Sequence, residues 1–182
     1  IGENMEGYGF AAEIVSAAFK TQGIDVAYDF YPWERARMMV EQGEAVGTLP
    51  WYHDPAKEAY AYFSEQLAET REVFFYRKAQ FPAGLSYESV AELNTYNVCG
   101  TRGYKHISIL KEGGVTNVDI AADAKTGFLK LNRGRIDLFP ESELVGWQLI
   151  EELFPGERDK FATIEKPLQS GPMYVLFSKK HP

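Results

Sequence analysis

The sequence predicts an α/β protein of two similar lobes, and three observations carry that expectation. Segments of helical period and strand period alternate along the chain. A helix end, a glycine and an apolar strand run occur twice, at 40–49 (VEQGEAVGTL) and 131–140 (LNRGRIDLFP), and align without a gap. The repeat is weak in identity, and helix-glycine-strand units are common in α/β chains. Two strongly β-forming runs, 72–77 (EVFFYR) and 173–178 (MYVLFS), bracket the second copy as a pair of hinge strands would.

The first lobe opens with a helix over 9–22, where Phe10, Ile14, Ala17 and Ala18 share one face and Gly23 ends it. Alternation of Val26, Tyr28 and Phe30 predicts a strand over 24–31. The anchor of the lobe follows. Pro32 suits the first turn of a helix whose apolar face is Trp33, Ala36, Met39 and Val40, with Arg35, Arg37, Glu41 and Gln42 opposite. Gly43 is placed to cap it in the left-handed region, and 45–49 reads as a short buried strand. Past that strand, Pro50, Trp51, Tyr52, His53, Asp54, Pro55 and Lys57 combine aromatic planes with opposite charges at the strand's carboxyl end, where open α/β sheets place ligands. A short helix or turn at 56–62 leads on to the strand at 72–77.

The stretch 78–89 carries Pro and Gly without a period and marks the lobe boundary. The second lobe then reads as a short helix from 86 to 94, a strand at 97–101 (NVCGT) and a helix at 104–112. Thr101, Arg102, Gly103 and Tyr104 form the turn between the last two, a point where backbone N–H groups and a helix dipole can face an anion. A strand at 115–121, a helix at 124–132, the repeat strand, a helix at 144–153 and a short strand at 161–164 complete it. In the repeat, Glu141, Ser142 and Glu143 are the counterparts of Trp51, Tyr52 and His53.

Composition excludes several functions. The 182 residues are 45 % hydrophobic, enough for a real core, and 14 % aromatic. A net charge of −7 without a basic run argues against nucleic acid and anionic membrane as partners. The single cysteine, Cys99, lies in an apolar context, makes neither an intramolecular disulfide nor a zinc site alone, and leaves the redox compartment open. His53, His106 and His181 lack metal-ligand spacing. There is no run of 18 apolar residues and no charged-then-apolar leader; the opening Ile-Gly-Glu-Asn, with no leading strand, gives the expectation of a fold trimmed at both ends. The chain carries no G-x-S-x-G, H-E-x-x-H or P-loop motif.

In order, the segments GYGFAAEIVSAAF, PWERA with its Gly43 cap, PAK followed by YFSE, EVFFYRK, NVCGTRGY, GRIDLF and YVLFSKK resemble the extracellular solute-binding proteins of family 3, the periplasmic receptors of amino-acid ABC transporters. The resemblance implies a bilobal Venus-flytrap fold of type II, with lobe 1 at 1–77 plus 173–182 and lobe 2 at 78–172. It implies a non-enzymatic monomer without cofactor or metal, closing on a small polar solute and delivering it to a membrane permease. The ligand residues it suggests are Tyr8, Trp33, Trp51, Tyr52, Lys57, Thr101, Arg102, Gly103, Tyr104, Glu141 and Ser142.

The chain departs from the family pattern in places. Lys57 stands where an arginine clamps a carboxylate, and lysine lacks the planar fork. Val46 stands where the family usually has Asp, and the acidic residue for an amino group falls at or beside Ser142. Read as residues alone, Trp33 is a helix-face core residue, Arg35 a solvated charge, and Trp51 and Tyr52 are either packing or stacking groups. The same fold also hosts a few cyclohexadienyl dehydratases, for which Glu141 would serve as acid or base, and sensory input domains of kinases or cyclases.

Overall fold

The computed structural model describes residues 2, 3 and 5–181. The chain forms two compact units, Ile1–Thr70 with Gly171–Pro182, and Arg71–Ser170. It passes between them twice. The first crossing falls at Thr70–Arg71, so the 72–77 run that the sequence reading gave to the first lobe packs in the second unit. No helix among the described residues is long and apolar enough to cross a membrane.

In the first unit, helices α1 (Phe10–Lys20) and α2 (Trp33–Gln42) accompany strands β1 (Gly47–Tyr52) and β2 (Ala61–Phe63). Both strands pair antiparallel with the closing strand, whose ladder runs from Met173 opposite Tyr52 to Ser178 opposite Ala61. α2 forms as its sequence dictates. Pro32 precedes the first turn, Val40 is fully buried, and Gly43 at φ 79° takes the left-handed cap that frees the chain to turn into β1. Lys180 Nζ and His181 Nε2 reach the carbonyls of Gln42 and Gly43, so side-chain donors distant in sequence satisfy a helix end that has no basic residue in its own last turn.

Three expectations for this unit change. α1 buries Ala11, Ala12 and Val15 and leaves Phe10 and Ile14 about two-fifths exposed, because Glu13, Ser16 and Lys20 share a polar face with Ala11 and Val15 opposite it and Phe10 and Ile14 on its flank. Residues 24–31 keep the alternation, with Val26, Tyr28 and Phe30 half-buried, but form no strand among the described residues. Tyr28 instead donates its hydroxyl to the Ala12 carbonyl at 2.8 Å and its ring packs on Tyr8. β1 continues through Trp51 and Tyr52, which the sequence reading had put in the loop beyond it; its register slips between Thr48 and Trp51, where Pro50 offers no N–H.

The second unit holds the long strand β3 (Ala68–Arg77, from Arg71 onward), then β4 (Val98–Thr101), α3 (His106–Glu112), β5 (Val118–Ala121), α4 (Ala124–Asn132), β6 (Phe139–Ser142), α5 (Glu143–Leu153) and β7 (Phe161–Thr163). The last strand, β8 (Gln169–Ser178), begins here and ends in the first unit. β4 and β5 are parallel, and Val98 also bridges Leu138 in parallel, which joins β4 to the run entering β6. β6 and β7 pair antiparallel with β3.

The apolar run of β3 is explained by burial on both faces. Val73 and Phe75 lie in one core cluster with Phe128, Leu131, Phe139 and Ile150, while Phe74 and Tyr76 lie in another with Leu93, Leu110, Leu138 and Ile164. Helices α4 and α5 bring bare backbone against this sheet: a Cβ at Gly127 would collide with the Phe139 ring, and one at Gly146 with the Phe75 ring.

Candidate functional site

The residues singled out from the sequence fall into separate groups. In the first unit, Trp33 and Trp51 meet edge to face with ring centroids 5.3 Å apart, and Trp51 Nε1 donates to Thr48 Oγ1 at 3.2 Å. Lys57 Nζ lies 5.4 Å from the Trp51 ring centroid and forms an ion pair with Asp54. Asp54 also caps the short helical turn Pro55–Ala59 by accepting from the Ala56 N–H at 3.0 Å. Lys57 is therefore a neutralised, mostly buried cation held over an indole, not an open point charge. Tyr52, half-buried, ends β1 opposite Met173. Tyr8 packs against Tyr28 and Phe30 with centroids 5.6 and 5.3 Å away. Arg35 stacks over Tyr31 at 4.7 Å, and Arg37 is bound to Glu34 and Glu41.

In the second unit, the predicted residues gather at the carboxyl ends of β4 and β6. Thr101 is 2 % exposed and Glu141 3 %. Gly103 takes φ 81°, the left-handed turn that leads from β4 toward α3. Arg102 is on the exposed side of that turn, and the Tyr104 ring lies 5.2 Å from the His106 ring. The Arg102 N–H already donates to Ala121 O and the Tyr104 N–H to Thr101 O. α3 has seven residues and no side-chain cap at its start. These two amides of the turn are thus committed within the chain.

Sequence reasoning missed the network beneath this turn. The Thr101 N–H donates to His106 Nε2 at 2.7 Å. An amide can only donate, so Nε2 is the unprotonated nitrogen and the imidazole carries its hydrogen on Nδ1. That N–H donates to Glu72 Oε1 at 2.5 Å, and the Gln169 side-chain amide donates to Glu72 Oε2. Glu72 is thereby a fully satisfied carboxylate, 6 % exposed, on the face of β3 that carries Phe74. In the sequence it reads only as the charged border of an apolar run. The one signal was a histidine five residues after Thr101, at the start of a helix.

Glu141 lies on the opposite face. It pairs with Val73 across the ladder, in the row that holds Phe75 and Phe139. Its Oε1 accepts from the Ser142 N–H at 2.7 Å, while Oε2 is buried with no hydrogen-bond partner among the described residues. Burial, reinforced by the charge of Glu72, pushes its pKa up to about 8, against a smaller opposing pull from the Ser142 N–H. Thr101, two residues beyond core Cys99, ends β4, which the Val98–Leu138 bridge joins to the run entering β6. Thr101 Oγ1 is the other buried polar atom here without a partner. Two buried side-chain oxygens without a hydrogen-bond partner, one a carboxyl's, thus lie at the ends of β4 and β6.

No family model and no curated protein matches the sequence. Solved structures do match in shape. The ligand-binding core of GluR0 complexed with L-glutamate is similar with a TM-score of 0.79 and 13 % identity, over 96 % of this chain and 77 % of the other. The substrate-binding protein of an amino-acid ABC transporter gives 0.76 and 14 %, over 98 % and 79 %. A histidine kinase sensor domain with similarity to periplasmic binding proteins gives 0.76 and 12 %, over 95 % and 73 %. Each likeness spans almost the whole chain, and together they establish that the protein has the α/β fold of the periplasmic binding proteins.

Proposed function

We propose that the chain is a solute receptor: a periplasmic, monomeric binding protein that takes a small polar solute, an amino acid or a close relative, and presents it to an ABC transporter permease. The observation that supports this reading best is the pair of unpartnered oxygens, Thr101 Oγ1 and Glu141 Oε2. A buried polar group without a partner costs about 1–3 kcal/mol, so two at the ends of strands joined by the Val98–Leu138 bridge mark a place where an absent molecule completes the hydrogen bonding. Their chemistry, a hydroxyl that donates or accepts beside a carboxyl, suits a polar group carrying N–H donors. Strand carboxyl ends are where α/β sheets of this kind receive ligands. The similar proteins named above include one complexed with L-glutamate and one serving an amino-acid transporter, which narrows the panel to test first.

A thermal-shift screen of the purified chain against amino acids, polyamines, small carboxylates and sugars tests the reading. A true ligand at about 100 times its Kd adds about 2.7 kcal/mol of stability and raises the melting midpoint by several degrees. Glu141→Gln with Thr101→Val should abolish that rise. A panel without a single shift overturns the reading. The likeness to a histidine kinase sensor domain supports a second role for the same site, ligand sensing in place of transport. Capture of a transporter permease by the ligand-loaded chain, with none by the empty one, distinguishes the two.

A further inference from the structure

We infer that Glu141 is a proton-exchanging ligand group: it holds a proton while the site is empty and releases it to solvent when a cationic ligand group takes the proton's place. This rests on the solute-receptor reading and adds a proton to its binding equation. Written out, Glu141–COOH and R–NH3+ give Glu141–COO− paired with R–NH3+, and one H+ leaves to the buffer, so charge inside the site does not change.

The geometry argues for it. A carboxylate buried to 3 % exposure needs a cation or several N–H donors, and Glu141 has one backbone N–H on Oε1 and nothing on Oε2. The charged groups on the surrounding elements are committed elsewhere. On β3, Glu72 is satisfied by His106 and Gln169, and Arg71 by Glu143 of α5 and the Glu165 carbonyl. On α4, Lys125 pairs with Glu152 and Lys130 with Asp119. On β4, the Cys99 thiol is neutral, its pKa raised by burial to about 11. Arg102, on the turn beyond β4, is exposed. Glu72 supplies only like charge. With the side-chain cations of these elements paired elsewhere or exposed and a like charge nearby, the empty site keeps its carboxyl neutral by protonation, the same physical rule that keeps buried acids uncharged elsewhere. The Thr101 hydroxyl, also buried without a partner at the end of β4, can accept from the ligand ammonium as well.

Two measurements test this. The first needs no ligand: carbon-13 NMR titration of the glutamate side-chain carboxyls in wild type and Glu141→Gln. One carboxyl titrating near pH 8 and missing from the variant supports the inference; every glutamate ionised by about pH 6 overturns it, whatever the protein binds. The second is calorimetry with L-arginine, L-glutamine and putrescine, repeated in buffers of different ionisation enthalpy. The inference expects about one proton released per ligand near pH 6.5, none well above pH 8, and affinity that rises close to tenfold per pH unit up to about pH 8 and then levels off. Binding without proton release overturns the exchange and leaves the receptor reading standing. Failure of all three compounds to bind, with no hit in the wider screen, overturns both.

Discussion

The two units run the same local sequence of events with different outcomes. α2, Gly43 and β1 in the first unit correspond to α4, Gly134 and β6 in the second, with Gly43 at φ 79° and Gly134 at φ 65° making equivalent turns. Yet the start of β6 is buried residue after residue, whereas β1 is mostly half-exposed. The second unit has two large clusters, one on each face of β3; the first has a small one around Val40, Ala61 and Leu176. Phe10, Ile14, Ile24, Met38 and Val46, all in the first unit, remain substantially exposed. A helix-glycine-strand pattern therefore sets the path of the backbone, while the number of covered faces decides how much stability that path returns.

The largest way to break this contrast is in the second unit's core. Phe75→Ala removes a fully buried ring that meets Phe128 and Trp147 edge to face, and should cost about 3–5 kcal/mol, read as a lowered urea midpoint. The next effect depends on pH. Folded Glu141 keeps its proton to about pH 8 where the free side chain loses it near 4.5, so wild-type stability is fullest below that lower value and declines as pH rises toward 8. Glu141→Gln should remove the decline, and the stability gap between variant and wild type should widen by at most about 1.4 kcal/mol per pH unit across that window and then stay constant. A gap that does not change with pH means the carboxyl is ionised throughout.

Smaller again is the contrast between the two sets of predicted ligand residues. For whichever compound the screen identifies, Glu141→Gln should weaken binding more than tenfold, while Lys57→Ala, removing a cation already neutralised by Asp54, should change it less than about threefold. The reverse order would make the first unit's Trp51 and Lys57 group the main anchor. Least of all, Val46→Lys on the exposed surface should stay within about 0.5 kcal/mol of wild type.

How much was legible followed from what each feature depends on. The Pro32 start, the Val40 face and the Gly43 cap are local, and the structure has each where the sequence put it. The strand expected over 24–31 was not so placed, because a strand needs a hydrogen-bonding neighbour and alternation cannot supply one. The buried face of α1 was misread for a different reason: Glu13, Ser16 and Lys20 mark a polar face with Ala11 and Val15 opposite, but the larger Phe10 and Ile14 on its flank drew the assignment. Glu141 and Thr101 could be named because they end strands. What makes them chemically unusual, the absence of partners, comes from contacts among residues 72, 101, 106, 141 and 169, which no sequence window contains.

The edge-to-face contact of Trp33 with Trp51 also has an optical meaning. Of the protein's three indoles, two sit together in the first unit and the third, Trp147, lies against Phe75 in the second, with Arg158 over its face. Two indoles in van der Waals range couple their excited states, so the first unit carries a near-ultraviolet dichroism couplet that vanishes when the pair separates. Trp147 has no indole neighbour, so the couplet belongs to the first unit alone. The sparsely packed unit thus bears an optical label of its own, and its melting can be followed without mistaking it for that of the other.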